Sequence, residues 1–146
     1  MDKKTAALNR KVHFDYHLTE SFEAGISLLG SEVKSIRAGK VDLKEGYIKI
    51  ENNEVFLYNV NISAYEHISE RTYDPLRKRK LLLHKNEIKN ISNKVSQKGF
   101  AIVPVEMYFK DGKVKLEISL AKGKKTYDKR EAIKEREVKR EMERAG

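Results

Sequence analysis

The feature that most constrains the fold is an alternating stretch at residues 101–120, A-I-V-P-V-E-M-Y-F-K-D-G-K-V-K-L-E-I-S-L. Apolar and polar residues alternate on both sides of Asp111-Gly112, and this dipeptide favours the two-residue turns that join antiparallel strands. Pro104 cannot donate a backbone hydrogen bond, so we expect it at a sheet edge or a bulge. The stretch therefore predicts a β-hairpin.

Further strands are predicted upstream. G-Y-I-K-I-E and E-V-F-L-Y-N-V-N-I, at 46–51 and 54–62, form a second hairpin around Asn52-Asn53. Residues 10–29 also read as extended chain, because V-H-F-D-Y alternates and F-E-A-G-I-S-L-L ends in a strand-like run.

Two helices interrupt these strands. Ser31 is expected to cap the first, S-E-V-K-S-I-R-A, and Gly39 to end it. In the second, at 84–99, Ile88, Ile91 and Val95 recur at helical spacing. The pattern predicts a mainly β fold: a small, partly open antiparallel barrel of the oligonucleotide-binding type with two to three flanking helices.

The end of the chain differs sharply from the rest. From Lys122 onward, 25 residues contain ten basic and six acidic side chains and very few apolar ones. We therefore divide the chain into a barrel domain, 1–121, and a basic tail, 122–146, which we expect to be disordered when free and to order on binding RNA. The formal charge of the whole chain is +9, which points to a polyanion such as nucleic acid, or to an anionic membrane surface.

Composition and motifs argue against several other classes. The chain has no cysteine, so disulfides and thiolate chemistry are excluded, and without a secretory signal or a membrane span we expect a cytoplasmic protein. His13 and His17 lack a third ligand nearby, so we expect no metal site and no cofactor. We find no nucleophile with its base, and no phosphate-binding loop.

Basic residues cluster in three places. R-K-R-K-L-L-L-H-K, at 77–85, joins four cations to a leucine run. Lys113 and Lys115 share one strand face, and Lys122, Lys124 and Lys125 emerge where the chain leaves the barrel. Cations at the edge of a rigid element suit phosphate binding. We expect support for an RNA backbone from Arg37, Arg77, Arg79, Lys80 and Lys85.

Four motifs resemble one family from end to end. They are F-E-A-G-I at 22–26, G-S-E-V-K-S-I-R-A-G at 30–39, D-P-L-R-K-R-K-L-L-L-H-K-N-E-I at 74–88 and A-K-G-K-K-T-Y-D-K-R at 121–130. In order and spacing they are similar to the SsrA-binding proteins, also called small protein B. One loop differs, because D-L-K-E-G-Y at 42–47 replaces the Asp-Ser-Tyr of many relatives.

The resemblance implies a non-catalytic protein with an oligonucleotide-binding barrel. Such proteins bind the tRNA-like domain of transfer-messenger RNA. With elongation factor Tu and GTP they accompany this RNA to ribosomes stalled on messages without a stop codon, and the unfinished product is tagged for proteolysis. The tail is implied to enter the decoding centre and the empty message channel.

The resemblance also assigns residues. Glu23, Leu82 and Lys113 match positions needed for RNA binding, and Lys122, Lys124 and Lys125 match the basic exit. Because the leucine run is expected to be buried, we expect Leu82 to support the surface rather than to contact RNA. A further family motif contacts ribosomal RNA in the decoding centre. It is matched here by Tyr127, Asp128, Lys129 and Arg130.

Two alternatives stay open on the residues alone. A generic single-stranded-RNA chaperone would explain the charge and the barrel, but not the motif at 127–130. A small RNA-cleaving enzyme would have to use His13, His17 or His84, and no acid–base arrangement accompanies them.

Overall fold

The structure, a computed structural model, describes residues 3–65, 73–97 and 99–123. Within these residues there are three helices, α1 (Arg10–Asp15), α2 (Gly30–Arg37) and α3 (Lys85–Val95). The same residues form nine strands: β1 (Lys4–Leu8), β2 (Tyr16–Ile26), β3 (Val41–Asp42), β4 (Tyr47–Glu51), β5 (Glu54–Tyr58), β6 (Asn61–Ile62), β7 (Arg79–Leu82), β8 (Phe100–Lys110) and β9 (Lys113–Gly123).

Seven strands form one antiparallel sheet in the order β1-β8-β9-β2-β7-β5-β4, and β3 pairs with β6 separately. The strand at one edge, β4, lies against β8 without pairing with it. The sheet thus curls into a barrel that hydrogen bonds do not close. The predicted mainly β, partly open antiparallel barrel with flanking helices is confirmed.

Both predicted hairpins are present. Asp111 and Gly112 have φ of 53° and 76°, and Asn52 and Asn53 have φ of 50° and 63°, the left-handed geometry that tight hairpin turns require. The register of β8 against β9 shifts between Pro104 and Glu106, so the proline lies at the expected bulge.

The inward residues of these strands form the core. Leu116, Ile118 and Leu120 of β9 are buried together with Met107 of β8. Burying such side chains is worth about 1.5–3 kcal/mol each, and their alternation fixes which residues of each strand face outward.

Residues 10–15 form helix α1, so the prediction of extended chain at these positions is wrong. Val12 and Tyr16 pack on one small cluster with Val103, Val105 and Ala121. A spacing of four brings two side chains to the same side in a helix, so the apolar spacing fits this short helix as well as a strand. His13 therefore lies in α1 and His17 in β2, and the two do not share a strand face.

The first residues of α2 also differ from the expectation. Leu29, not Ser31, is the N-cap residue. The backbone N–H of Leu29 donates to the Glu32 Oε1 at 2.8 Å. The Glu32 side chain thus provides the acceptor that this amide lacks within the helix. Gly39, with φ of 78°, ends the helix as predicted.

The second helix has the predicted apolar face, but it ends at Val95 rather than at Gly99. Ile91 of α3 is buried, and Ile88 and Val95 pack partly buried against the core. The Glu87 carboxylate accepts a hydrogen bond from the His84 N–H at 3.0 Å.

The predicted domain boundary falls inside a strand. β9 continues past Ala121 to Gly123, so the barrel includes the first residues that we assigned to the tail. The rest of the tail, 124–146, lies outside the described residues, and its disorder in the free state stays a prediction.

Candidate nucleic-acid interface

Three adjacent strands bring the family-matched residues to one outward face. Gly25 of β2 lies opposite Lys115 of β9 and Leu82 of β7. Residues directly opposite each other in antiparallel strands share a face. Glu23 lies two positions before Gly25 and faces the same way, while Ala24 between them is fully buried. The face is therefore built from β7, β2 and β9.

Leu82 is exposed, which corrects the expectation that it is buried. Its exposed fraction is 53%, against 1% for the neighbouring Leu81. Strand β7 alternates, so Leu81 enters the core and Leu82 points outward. A Cβ on Gly25 would lie 3.2 Å from the Leu82 Cβ, so the glycine lets this leucine lie close over β2.

Lys113 is at the end of this face, at the first position of β9 after the Asp111-Gly112 turn. It is exposed, and it lines a cavity of about 380 Å³ together with Gly25, Leu82 and Lys115. The structure thus brings Leu82 and Lys113, which are far apart in sequence, around one glycine.

Glu23 is held in position by two donors from β8. The Tyr108 Oη donates to its Oε2 at 2.5 Å, and the Lys110 Nζ lies 3.3 Å from the same oxygen. The hydrogen bond from Tyr108, with help from Lys110, lowers the pKa of Glu23. Burial, together with the hydrogen bond to Glu23, raises the pKa of Tyr108. At neutral pH Glu23 is therefore an ionised acceptor, suited to an amino or hydroxyl group rather than to a phosphate.

Tyr108, Lys110 and Gly25 are site residues that the sequence reasoning missed. For Tyr108 and Lys110 the signal was the Asp-Gly turn, because a two-residue turn pairs Lys110 with Lys113 and so places Tyr108 opposite Lys115. Gly25 had no such signal. Its strand, β2, pairs with β9 across a long stretch of chain, so no turn fixes the register of the two strands.

The prediction that Arg79 supports an RNA backbone is wrong, because its side chain is not accessible to RNA. Its side chain is 0% exposed, and its Nε and Nη2 donate to the Glu32 Oε2 at 2.8 and 2.6 Å. Further hydrogen bonds reach the Val60 and Pro75 carbonyls and the Tyr73 hydroxyl. This guanidinium is a structural group of the core.

Arg77 has the same partner but a more open position. It forms an ion pair with Glu32 and keeps a side chain that is 31% exposed. Burial by itself would raise the pKa of Glu32, but hydrogen bonds from Arg77, the Leu29 amide and Arg79 outweigh it, and the pKa is lowered. Glu32 is thus an ionised, paired carboxylate in the protein interior.

The remaining predicted cations lie at different distances from this face. Lys80 is exposed two positions before Leu82 on the same side of β7 and lies 3.6 Å from the Glu54 carboxylate. Arg37 is exposed on α2 over the Phe109 ring, 5.2 Å from its centroid, and it lines a neighbouring cavity with Gly112. Lys85 begins α3 and lines a separate cavity with Asn53, so it does not join the group.

Lys122 lies at the other end of β9. It lies seven residue steps along the strand from Lys115, roughly 23 Å at the usual rise. The tail leaves the barrel there, after Gly123. Six residues with predicted contacts lie outside the described residues: Lys124, Lys125, Tyr127, Asp128, Lys129 and Arg130.

Two further observations concern the described part of the chain. No group of three or more histidine, aspartate or glutamate side chains there could hold a metal ion. Nor is any helix within those residues long and apolar enough to cross a membrane.

Comparison with known proteins decides the family. The family model described as SmpB protein matches residues 6–146. The chain belongs to the SmpB protein family. Among its relatives, the SsrA-binding protein of Persephonella marina is 53% identical, with 97% of this chain and 93% of the relative covered. The SsrA-binding protein of Trichodesmium erythraeum is also 53% identical, covering 98% of this chain and 92% of the relative.

A solved structure agrees with this membership. It is the one described as "tmRNA-SmpB: a journey to the center of the bacterial ribosome", and it superposes on the chain with a TM-score of 0.70 at 46% identity. The match covers 87% of this chain and 93% of the other. The resemblance to the SmpB family that the four motifs indicated is confirmed.

Proposed function

We propose that this protein binds the tRNA-like domain of transfer-messenger RNA and delivers it to ribosomes stalled on messages without a stop codon. Trans-translation then frees the ribosome and tags the unfinished peptide for proteolysis. The protein acts in the bacterial cytoplasm as an RNA-binding factor, not as an enzyme. The observation that carries the proposal is that a member of the SmpB family gathers Glu23, Leu82 and Lys113 on one outward face.

The chemistry of this face suits folded RNA. Lys113, with Lys80 and Arg37 nearby, supplies positive charge for phosphates. The Glu23 carboxylate, held by Tyr108 and Lys110, accepts hydrogen bonds from base amino groups or ribose hydroxyls. Leu82 offers an exposed apolar contact to a base or a ribose. Arg77 and Lys85 lie outside this group of residues and act on the RNA through charge only.

The opposite end of the barrel faces the ribosome in this proposal. Lys122 starts the tail about 23 Å from Lys115 along β9, so one molecule holds the RNA at one end and reaches small-subunit ribosomal RNA with the other. Lys124 and Lys125 continue the basic exit. Residues 127–130, Tyr-Asp-Lys-Arg, contact the decoding centre, and the following chain enters the message channel. Elongation factor Tu with GTP joins the same complex.

Binding of the purified protein to transfer-messenger RNA and to an unrelated RNA of equal length, at two salt concentrations, tests the proposal. Both affinities fall as salt rises, because phosphate contacts release counterions. The preference for transfer-messenger RNA should persist at the higher salt. Equal affinity for the two RNAs would contradict the proposal and favour a general single-stranded-RNA chaperone.

A truncation tests the division between barrel and tail. Removing residues 131–146 should leave the affinity for transfer-messenger RNA nearly unchanged but abolish peptide tagging on stalled ribosomes. The matched control is Lys113→Gln in the full chain, which should weaken RNA binding. A large loss of affinity on truncation would mean that the RNA-binding surface includes the tail.

A further inference from the structure

An ion pair at the start of strand β1 lies beside the outward face described above. The Lys3 Nζ donates to the Glu106 Oε1 at 2.8 Å, and the Thr5 Oγ1 donates to the Oε2 at 2.5 Å. The Glu106 side chain is only 10% exposed. Burial by itself would raise the pKa of Glu106, but the hydrogen bonds from Lys3 and Thr5 outweigh it, and the pKa is lowered. Glu106 is therefore an ionised anchor that holds residues 3–5 against β8.

The same lysine covers the ring of Tyr108. The Lys3 Nζ lies 4.8 Å from the ring centroid, within the range of a cation–π contact. Tyr108 points outward, because the preceding Met107 enters the core, and Thr5 lies directly opposite it in β1. The tyrosine is nonetheless only 4% exposed. Lys3 and Thr5 thus help to hold the ring against the sheet.

Tyr108 reaches Glu23 across an intervening strand. It lies opposite Lys115 of β9, whereas Glu23 of β2 lies opposite Glu117 of the same strand. Two strand spacings, about 9.5 Å, separate the backbones of β8 and β2. A side chain must lie along the sheet to bridge this distance, and the Tyr108 Oη does so, at 2.5 Å from the Glu23 Oε2. The orientation of the ring therefore fixes the position of the carboxylate.

Charged side chains from the elements around Glu23 also act on it. They are Lys110 of β8, Lys115 and Glu117 of β9, and Lys3 before β1. Strand β7 pairs with β2 through two leucines, which carry no charge. The hydrogen bond from Tyr108 is the largest single cause of the lowered pKa of Glu23. The tyrosine is thus the principal partner of this carboxylate.

We propose that Lys3 and Tyr108 are positioning residues for RNA binding. Lys3, anchored by Glu106, holds the Tyr108 ring against the sheet, and the Tyr108 hydroxyl holds the Glu23 carboxylate where it accepts hydrogen bonds from the RNA. An acceptor that is already oriented loses less side-chain freedom on binding. The inference rests on the proposed function, because it takes Glu23 as a contact of the RNA.

Side-chain carboxyl NMR of the free protein tests the positioning without RNA. Tyr108→Phe keeps the ring and removes the donor, so the titration midpoint of Glu23 should rise toward its ordinary pKa of 4.5. Lys3→Gln should raise the midpoint by a smaller amount. Lys4→Gln, the loss of the same charge one residue away, is the matched control and should leave it unchanged. An unchanged midpoint in Tyr108→Phe, or equal changes in the two lysine variants, would overturn the assignment.

A double-mutant cycle with transfer-messenger RNA connects the positioning to binding. Tyr108→Phe should weaken binding about fivefold, the worth of one hydrogen bond, and Lys3→Gln about threefold. In a Glu23→Ala background no carboxylate is left to position, so Tyr108→Phe should cause no further loss, and Lys3→Gln no more than Lys4→Gln does. Losses of the same size in both backgrounds would mean that the two residues act in another way, and would overturn the proposal.

Together the two measurements separate this inference from the proposed function. If the function were wrong, Glu23→Ala would bind transfer-messenger RNA as the natural protein does, while the midpoints in the free protein would still move as predicted. If only the positioning were wrong, Glu23→Ala would weaken RNA binding, and the midpoint of Glu23 in Tyr108→Phe would stay where it is in the natural protein.

Discussion

Two glutamates near the start of the chain are paired with cations, and their surroundings give them different roles. Glu32 is fully buried and joins Arg77, Arg79, Tyr73 and the start of α2. Glu23 is on the surface, 39% exposed, with Lys110 and Tyr108 as partners. Both have a lowered pKa. Pairing alone does not mark a binding residue; the exposed fraction of the pair decides whether it stabilises the fold or presents an acceptor to a partner.

Removing the buried carboxylate should give the largest effect. Glu32→Ala leaves the Arg79 guanidinium buried without its anion, and we expect the free energy of unfolding to fall by about 3–5 kcal/mol. Urea unfolding followed by circular dichroism measures this. Glu23→Ala is the matched control, and it should cost under about 1 kcal/mol while weakening RNA binding. Similar stability losses in the two variants would remove the distinction.

The adjacent leucines give the same contrast without charge. Leu81→Ala opens a hole in the core and should lower the free energy of unfolding by about 2–5 kcal/mol. Leu82→Ala removes an exposed side chain and should change it by less than about 1 kcal/mol, yet reduce the affinity for transfer-messenger RNA. Unfolding and RNA titration of both variants check this pair. Unchanged affinity in Leu82→Ala would mean that this side chain does not contact RNA.

The dependence of stability on pH tests the ionised state of Glu32, with a smaller expected effect. A carboxyl with a lowered pKa in the folded state contributes stability above its ordinary pKa of 4.5, and this contribution is lost as the pH falls through the folded pKa. Below pH 4.5 the unfolding free energy should therefore decrease, and Glu32→Gln should lessen the slope by up to about 1.4 kcal/mol per pH unit. Identical slopes in Glu32→Gln and the natural protein would contradict the ionised, paired state of Glu32.

The smallest effects are expected at the peripheral cations. Arg37→Gln or Lys80→Gln should change the free energy of unfolding by no more than about 0.5 kcal/mol. Each should reduce RNA affinity a few-fold and lower the slope of log affinity against log salt by about 1. Lys94→Gln, exposed on α3, is the control and should change neither quantity. A salt slope that stays the same in both variants would remove Arg37 and Lys80 from the surface.

The hairpins and two of the helices were predictable because their signals are local. Asp111-Gly112 fixes a turn and its register, and Gly39 ends a helix, whatever the rest of the chain does. Helix α1 was missed because an apolar spacing that suits a strand also placed Val12 and Tyr16 on one helical side. A six-residue helix is too short for its period to be distinguished.

The candidate site was predictable in its members but not in its geometry. In the sequence, a run of four cations before leucines indicates an exposed segment. Arg79 is buried instead, because the fold brings it against Glu32, which lies 47 residues earlier in the chain. The same strand alternation that buried Arg79 and Leu81 exposed Lys80 and Leu82. The contact of β4 with β8 had no sequence signal, because it depends on how far the sheet curls.

The most direct measurement is amide chemical-shift mapping of the full chain with the tRNA-like domain of transfer-messenger RNA. We predict that the largest changes occur at Glu23–Ile26, at Leu82 and at Lys113–Lys115, the three adjacent strand segments of the outward face. Helix α3, Lys85–Val95, should change little beyond its first residue. Changes concentrated on α3, with Glu23, Leu82 and Lys113 unaffected, would contradict the assignment of this face as the RNA-binding surface.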